Sequence, residues 1–209
     1  MKTIPINTIK FGTCSVDQLN IVPKYIEEIK LENYPFPLND SIATLQEINN
    51  LVNYGVFSLP YDYQSEIVLD AMFLEEIINY FKTELDLDYS EIANQINDDI
   101  CQVVYFLKNH YNRPRPNQLA AILGIDFHPK KTTIETASYP SGKALISYCV
   151  LDTIAKQNPK ISEHCNHLHF IIKESRLKLG LNYKSDIYAA DEFGFIICSN
   201  NDFRKKYVK

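Results

Sequence analysis

The chain has 209 residues, of which 45% are hydrophobic and 12% aromatic, so it can build one well-covered core and lacks the composition of a disordered protein. Its net charge of -5 argues against a general surface for nucleic acid or anionic membranes, so an anion site must be a local pocket. The five cysteines are scattered along apolar segments, which favours free buried thiols over disulfides.

The amino-terminal part of the chain, residues 1–40, carries four prolines and only short apolar runs. This composition predicts an extended arm with one helical turn near 24–30, lying over a helical core. Such an arm also suits packing against a second copy of the chain or another assembly partner. No apolar run is long enough for a signal peptide or for a membrane span, which takes roughly 18 to 20 residues. We therefore expect a cytoplasmic protein without a membrane span.

The remainder of the chain has apolar residues at helical spacing and no convincing strand. We expect helices between Ser41 and Gly55 and over 64–85, 89–109, 140–156, 161–178 and 185–198, with an irregular loop or short helix over 117–139. The last residues, 201–209, are basic and are predicted to be a frayed tail. The predicted fold is all-α, a single helical bundle over 41–200.

Three short segments combine cations with helix ends. Lys108 lies on the last turn of the third predicted helix, and Arg115 follows in the loop where prolines end that helix. The sequence Pro140-Ser141-Gly142 opens the next helix, so its N–H groups and the positive end of the macrodipole can face an anion. Singly, these cations would be surface groups near helix ends, but together they indicate an oxyanion pocket.

The third segment begins with Ser175-Arg176 and continues, after five residues, with Asn182 and, after three more, with Asp186. In order and spacing, the three segments resemble the motifs K-x6-R-P, P-S-G-H and S-R-x5-H-x3-D of the type 2 phosphatidic acid phosphatase and vanadium haloperoxidase superfamily. Within it the chain looks most like the soluble bacterial class A acid phosphatases, because Tyr139, Gly180 and Ser185 match as well. The resemblance covers residues 108 to 194 and implies the helical bundle of that superfamily.

Two motif histidines are replaced, by Lys143 in the second motif and Asn182 in the third. The resemblance implies that the third-motif histidine attacks phosphorus, that the aspartate at 186 orients it, and that the second-motif histidine protonates the leaving oxygen. A carboxamide cannot form a phosphoenzyme at a useful rate, because its nitrogen lone pair is delocalised. We expect Asp186 to pair with Lys143 or Arg176, or to hold the Asn182 amide.

These features predict a degenerate phosphatase-like protein that binds phosphate or a phosphorylated small molecule without covalent turnover and without a cofactor. The predicted phosphate-binding residues are Lys108, Arg115, Ser141, Gly142, Lys143, Arg176 and Asn182. One alternative is a slow phosphomonoester hydrolase in which water attacks and Lys143 is the acid; His110 or His128 would be sought as nucleophile if turnover were fast. Another is a structural or interaction protein, for instance virus-encoded, that reuses the fold.

Two further groups of residues carry side chains that can bind ligands. The histidines 164, 167 and 169 with Cys165 suggest zinc, but they lie on different sides of one helix and lack a second cluster, so no metal site is predicted. The tyrosines are more often core or interface residues than ligand-binding ones, and Tyr139 and Tyr183, which adjoin motif positions, are the two that could line the pocket.

Overall fold

The computed structural model describes residues 10–11, 23–57, 73–130, 134 and 136–208. In these residues the chain forms α-helices and no strand, so the predicted all-α helical bundle is confirmed. The α-helices are α1 (Ile42–Phe57), α2 (Phe73–Leu85), α3 (Ser90–Tyr111), α4 (Pro116–Leu123), α5 (Gly142–Gln157), α6 (Ser162–Lys178), α7 (Lys184–Ser199) and α8 (Asn201–Tyr207). Two 3-10 turns occupy Leu31–Asn33 and Pro159–Ile161.

Helix α5 is the centre of the bundle. It packs against α3, α6 and α7. Most of its residues are buried on every side, which is the pattern expected of a helix enclosed by others rather than of a surface helix. Its N-cap residue, Ser141, is buried, so the amino-terminal end of α5 lies inside the molecule, where Gly142 lines a pocket with Lys108 of α3 and Arg176 of α6.

The described part of the arm packs on the bundle, as predicted. Tyr25 and Ile26 are buried, and the Phe36 ring lies 5.6 Å from the ring of Tyr139 between centroids. The Tyr139 hydroxyl donates to the backbone carbonyl of Tyr34 at 2.9 Å. The helical turn expected near 24–30 is wrong, because that stretch forms non-helical turns and the 3-10 turn follows it.

The end of the chain corrects another prediction. Instead of a frayed tail, Asn201–Tyr207 forms α8, in which Phe203 and Tyr207 are buried. The Asn200 side chain caps this helix by accepting from the backbone N–H groups of Asp202 at 2.9 Å and Phe203 at 3.3 Å. Two aromatic side chains four residues apart anchor the helix, although the basic residues between them are exposed.

Helix limits agree with the predicted ones to within a few residues where the structure describes them. Residues 58–72 lie outside the described part, so the predicted start of the second helix at 64 stays a prediction. The region 117–139 does contain a short helix, α4, which starts with a proline at its first position and ends at Gly124. Within the described residues, no helix combines the length and apolarity required to cross a bilayer. The division into an arm over 1–40 and a domain over 41–200 stays a prediction.

Candidate anion-binding site

The structure brings the predicted cations together at one pocket of about 580 Å³. Four helix ends supply them: Lys108 comes from the last turn of α3, Arg115 immediately precedes α4, Lys143 is in the first turn of α5, and Arg176 is near the end of α6. The side chains of Lys108, Arg115 and Arg176 are buried, with 5%, 5% and 4% of their surface exposed. Gly142 and Asn182 also line the pocket.

Arg115 is held in place by neutral acceptors. Its Nε donates to the Thr136 carbonyl at 2.9 Å, one terminal nitrogen donates to the Leu181 carbonyl at 2.7 Å, and the other contacts the Thr136 hydroxyl at 3.3 Å. Gly180, directly before Leu181, turns the chain after α6 with φ of 71°, a left-handed conformation that suits glycine. The guanidinium is thus fixed by dipoles, and these do not neutralise its charge.

Burial lowers the pKa of Arg115 to about 10 and that of Arg176 to about 10. Both groups remain protonated near neutral pH, but their charged forms have lost hydration. A bound anion would restore part of that stabilisation. Lys108 adds a third charge from the same side; its ammonium donates to the carbonyls of Ala137 at 2.5 Å and Ser138 at 3.3 Å.

The start of α5 supplies backbone N–H groups, whereas Ser141, the predicted hydroxyl donor, does not line the pocket. Ser141 is the N-cap, but its hydroxyl makes no capping bond; it is buried and has no hydrogen-bond partner among the described residues. Its backbone N–H donates to the Asp186 carbonyl at 3.0 Å, so that N–H does not face a ligand. The N–H groups of the first helical residues, starting with Gly142, have no partner within the helix. A Cβ on Gly142 would lie 2.8 Å from Val104, which explains the glycine at this close approach to α3.

Asp186 lies behind the pocket and is fully buried. It accepts hydrogen bonds from Arg113 at 2.6 Å, the Ser138 hydroxyl at 2.5 Å, the Asn182 amide at 3.1 Å and the backbone N–H of Tyr183 at 2.9 Å. Of the partners expected from the sequence, the Asn182 amide is the one seen here. The ion pair of Asp186 is with Arg113 rather than with Lys143 or Arg176.

Arg113 is the site residue that sequence reasoning missed. Its side chain is fully buried, its guanidinium carbon lies 3.7 Å from the centre of the Tyr183 ring, and it also contacts Glu47 at 3.3 Å and the Ser185 hydroxyl at 2.8 Å. Burial acts to lower the pKa of Arg113, but Asp186, Tyr183 and Glu47 together outweigh it and the net shift is upward. The signal was a second Arg-Pro pair, at 113–114, directly before the one assigned to the motif.

The Asn182 side chain has an orientation that differs from its predicted role as a phosphate donor. Its amide nitrogen faces Asp186 and also donates to the Ser138 carbonyl at 2.9 Å, so both N–H groups have acceptors. Its oxygen accepts from Arg176 Nε at 3.3 Å. The buried carboxylate fixes this orientation, because the amide oxygen would be repelled there. Asn182 therefore orients the Arg176 guanidinium.

The other predicted candidates lie elsewhere. Tyr139 and Tyr183 are buried beside the arm and Arg113, and neither lines the pocket. His164 contacts the Tyr80 hydroxyl at 2.7 Å, and His169 lies between Ser147 at 2.9 Å and Asp191 at 2.8 Å. The described residues contain no group of three or more side chains arranged to hold a metal.

The Ser147–His169–Asp191 row has the residue types of a hydrolytic triad. However, Ser147 is fully buried within α5 and donates to the Ala144 carbonyl at 3.0 Å, so a substrate cannot reach its oxygen. The row joins α5, α6 and α7 and is structural.

No family model and no curated protein matches the sequence. Among solved structures, the fold is similar to a transmembrane PAP2-type phosphatidylglycerolphosphate phosphatase from Bacillus subtilis. The two chains are 15% identical, the match covers 81% of this chain and 90% of the other, and the TM-score is 0.51. At this identity the likeness shows the fold alone. It agrees with the bundle that the three motifs imply, while the function has to be argued from the site.

Proposed function

We propose that this protein is a degenerate relative of the PAP2-type phosphatases that binds phosphate or a phosphorylated small molecule without forming a phosphoenzyme. The observation that carries the proposal is the convergence of buried Lys108, Arg115 and Arg176 on the amino-terminal end of α5. Desolvated guanidinium groups and a helix start are complementary to a tetrahedral oxyanion. Ser141 does not line the pocket itself, but its buried hydroxyl has no hydrogen-bond partner among the described residues and lies one residue before Gly142, which does line it.

The same arrangement argues against covalent catalysis. The position from which an imidazole would attack is occupied by Asn182, whose nitrogen is bound to Asp186 and Ser138. Lys143, at the position of the leaving-group acid, lies beside the Phe73 ring with its ammonium 5.3 Å from the ring centre. The pocket therefore keeps the binding groups and lacks a nucleophile at the motif position.

Isothermal titration with phosphate, vanadate and tungstate tests this proposal. We expect binding by the wild type, and a loss of roughly 10- to 100-fold in affinity for Arg176→Gln, because a hydrogen bond to a charged group contributes about 1.5–3 kcal/mol. The matched control is Arg204→Gln, which removes an exposed arginine of α8. An unoccupied pocket at millimolar anion, or equal affinity for the two variants, would contradict the proposal.

A second candidate, slow hydrolysis by water with Lys143 as the acid, is favoured by one observation: Lys143 is partly exposed and lines the pocket. Electrostatic stabilisation without a nucleophile can still give roughly 10³-fold over water. Turnover of an activated aryl phosphate distinguishes the two candidate functions. Slow turnover that shows no burst and is lost in Lys143→Met supports hydrolysis by water.

A further inference from the structure

The pocket continues well beyond the cations, along one side of α3. Lys108, Tyr105, Cys101 and Asn97 follow one another at intervals of three or four residues, so they lie on one face of the helix, and all four line the pocket. Asn97 is eleven residues before Lys108, which corresponds to about 16 Å along the helix axis. The lining therefore forms a groove with the cations at one end.

The walls of this groove are apolar. Phe73 from α2, Val104 and Tyr105 from α3, and Ile146 from α5 line it between Lys143 and Asn97. The aromatic wall begins next to the charge, because the Lys143 ammonium lies over the Phe73 ring, 5.3 Å from the ring centre. Among the described residues of the lining there is no carboxylate. A volume of about 580 Å³ is also more than an inorganic oxyanion requires and is in the range of sites for whole small molecules.

We propose that the groove binds the aromatic part of an aryl phosphate monoester, with the phosphate among Lys108, Arg115 and Arg176 and the ring against Phe73 and Tyr105. This inference rests on the proposed function. The hydroxyl groups of a polyol would lose hydration against Phe73, Val104 and Ile146, which offer no hydrogen-bond partner. A flat ring packs favourably on aromatic side chains and has little conformational freedom to lose.

Titration with four probes tests the ligand class: inorganic phosphate, glycerol phosphate, octyl phosphate and 1-naphthyl phosphate. We expect 1-naphthyl phosphate to bind at least 10-fold more tightly than glycerol phosphate. Tyr105→Ser should reduce this ratio several-fold. The matched control is Tyr188→Ser, which removes a tyrosine of α7 with 56% of its surface exposed, outside the groove, and should leave the ratio unchanged.

The reactivity of Cys101 gives an independent measure of where the organic part of the phosphate ester lies. It is partly exposed along the groove, whereas Cys149, Cys165 and Cys198 are buried. In a Cys14→Ser background, we expect 1-naphthyl phosphate to slow alkylation of Cys101 by iodoacetamide, and inorganic phosphate at saturation to leave the rate nearly unchanged.

The outcomes separate the two proposals. If inorganic phosphate binds but the naphthyl ester gains no affinity and no protection of Cys101, the aromatic site is refuted and the anion site stands. If octyl phosphate binds more tightly than the naphthyl ester, the groove selects an apolar chain and the aromatic class is refuted. If none of the four probes binds, the proposed function fails as well.

Discussion

Two aspartates of this protein each gather several hydrogen-bond donors, and they do so for different purposes. Asp99 Oδ2 accepts from the hydroxyls of Tyr25 at 2.8 Å and Tyr207 at 2.7 Å and from the Lys206 ammonium at 2.8 Å. It joins the arm, α3 and α8 at a place that solvent reaches. Asp186 is fully buried and binds groups that stand directly behind the pocket.

The two carboxylates differ in the groups that they hold in place. The Asp99 cluster connects segments far apart in sequence, and its partners contact no pocket cation. The Asp186 cluster fixes the Asn182 amide, which in turn contacts Arg176. A change at Asp99 should therefore affect stability alone, whereas a change around Asp186 should affect both stability and anion binding.

Removing the charge partner of Asp186 should have the largest effect. Arg113→Met leaves a carboxylate buried without its ion pair, and breaking a buried pair from one side costs about 3–5 kcal/mol. We expect that loss in the free energy of unfolding from urea titration, together with weaker phosphate binding. The control is Lys206→Met, which removes the cation from the Asp99 cluster at a partly exposed position and should cost less than about 1 kcal/mol. Equal losses in the two variants would contradict the comparison.

Rebuilding the missing chemistry is the second way to test the Asp186 cluster. The double variant Asn182→His, Lys143→His restores a nucleophile beside Asp186 and an acid for the leaving oxygen, so it should create measurable hydrolysis of an aryl phosphate. Asn182→His alone should form an acid-labile phosphoenzyme and release poor leaving groups slowly. A double variant that folds and binds phosphate but stays inert would show that this geometry no longer supports the reaction.

The sequence predicted the cations of the site, because their spacing ties them to helix ends that local patterns locate well. Lys108, Arg115 and Arg176 were all placed at the correct ends. Arg113 was missed because its role depends on the Tyr183 ring and Asp186, both about 70 residues further along the chain. The orientation of the Asn182 side chain could not be predicted either, since it depends on the Asp186 carboxylate, whose partners are brought together only by the fold.

Contacts between segments far apart in sequence also explain why the prediction of a frayed tail was wrong. Residues 201–209 contain four basic side chains, and that charge masked the pair Phe203 and Tyr207, whose spacing of four residues is that of one helix face. Burial of the two rings beside Tyr25 stabilises α8. Neither the arm nor α8 could be docked from sequence, because the residue that joins them, Asp99, lies in the middle of α3.

The Asp99 cluster should give a smaller, purely structural effect. Asp99→Asn keeps the shape but removes the charge from three hydrogen bonds, so we expect a loss of about 1–2 kcal/mol in the free energy of unfolding. Phosphate affinity should not change. Thermal and urea unfolding measure the first quantity and isothermal titration the second. A loss of phosphate affinity in this variant would remove the distinction between the two carboxylates.

The pH dependence of stability should show the smallest effect and sharpen the comparison. Although burial acts to raise it, hydrogen bonds from Lys206, Tyr207 and Tyr25 hold the pKa of Asp99 below its usual value. The stability from this group is therefore fully present above the ordinary aspartate pKa near 3.8 and is lost as the pH falls through the lower folded value. Burial and the same carboxylate raise the pKa values of Tyr25 and Tyr207, so their contribution is present below the ordinary tyrosine pKa near 10.0 and is lost as the pH rises through the higher folded values.

Urea titrations across this pH range should therefore show wild-type stability falling at both extremes, relative to Asp99→Asn. The variant has no Asp99 contribution on the acid limb. On the alkaline limb, burial still raises the pKa values of Tyr25 and Tyr207, and only the part of the rise that Asp99 causes is lost. The difference between the two proteins should therefore be greatest between these limbs and shrink towards each, with the larger decrease on the acid side. A difference that stays constant with pH would mean that Asp99 acts here through shape rather than charge. Asp99 would then stabilise the fold through its shape alone, unlike Asp186, whose charge is paired with that of Arg113.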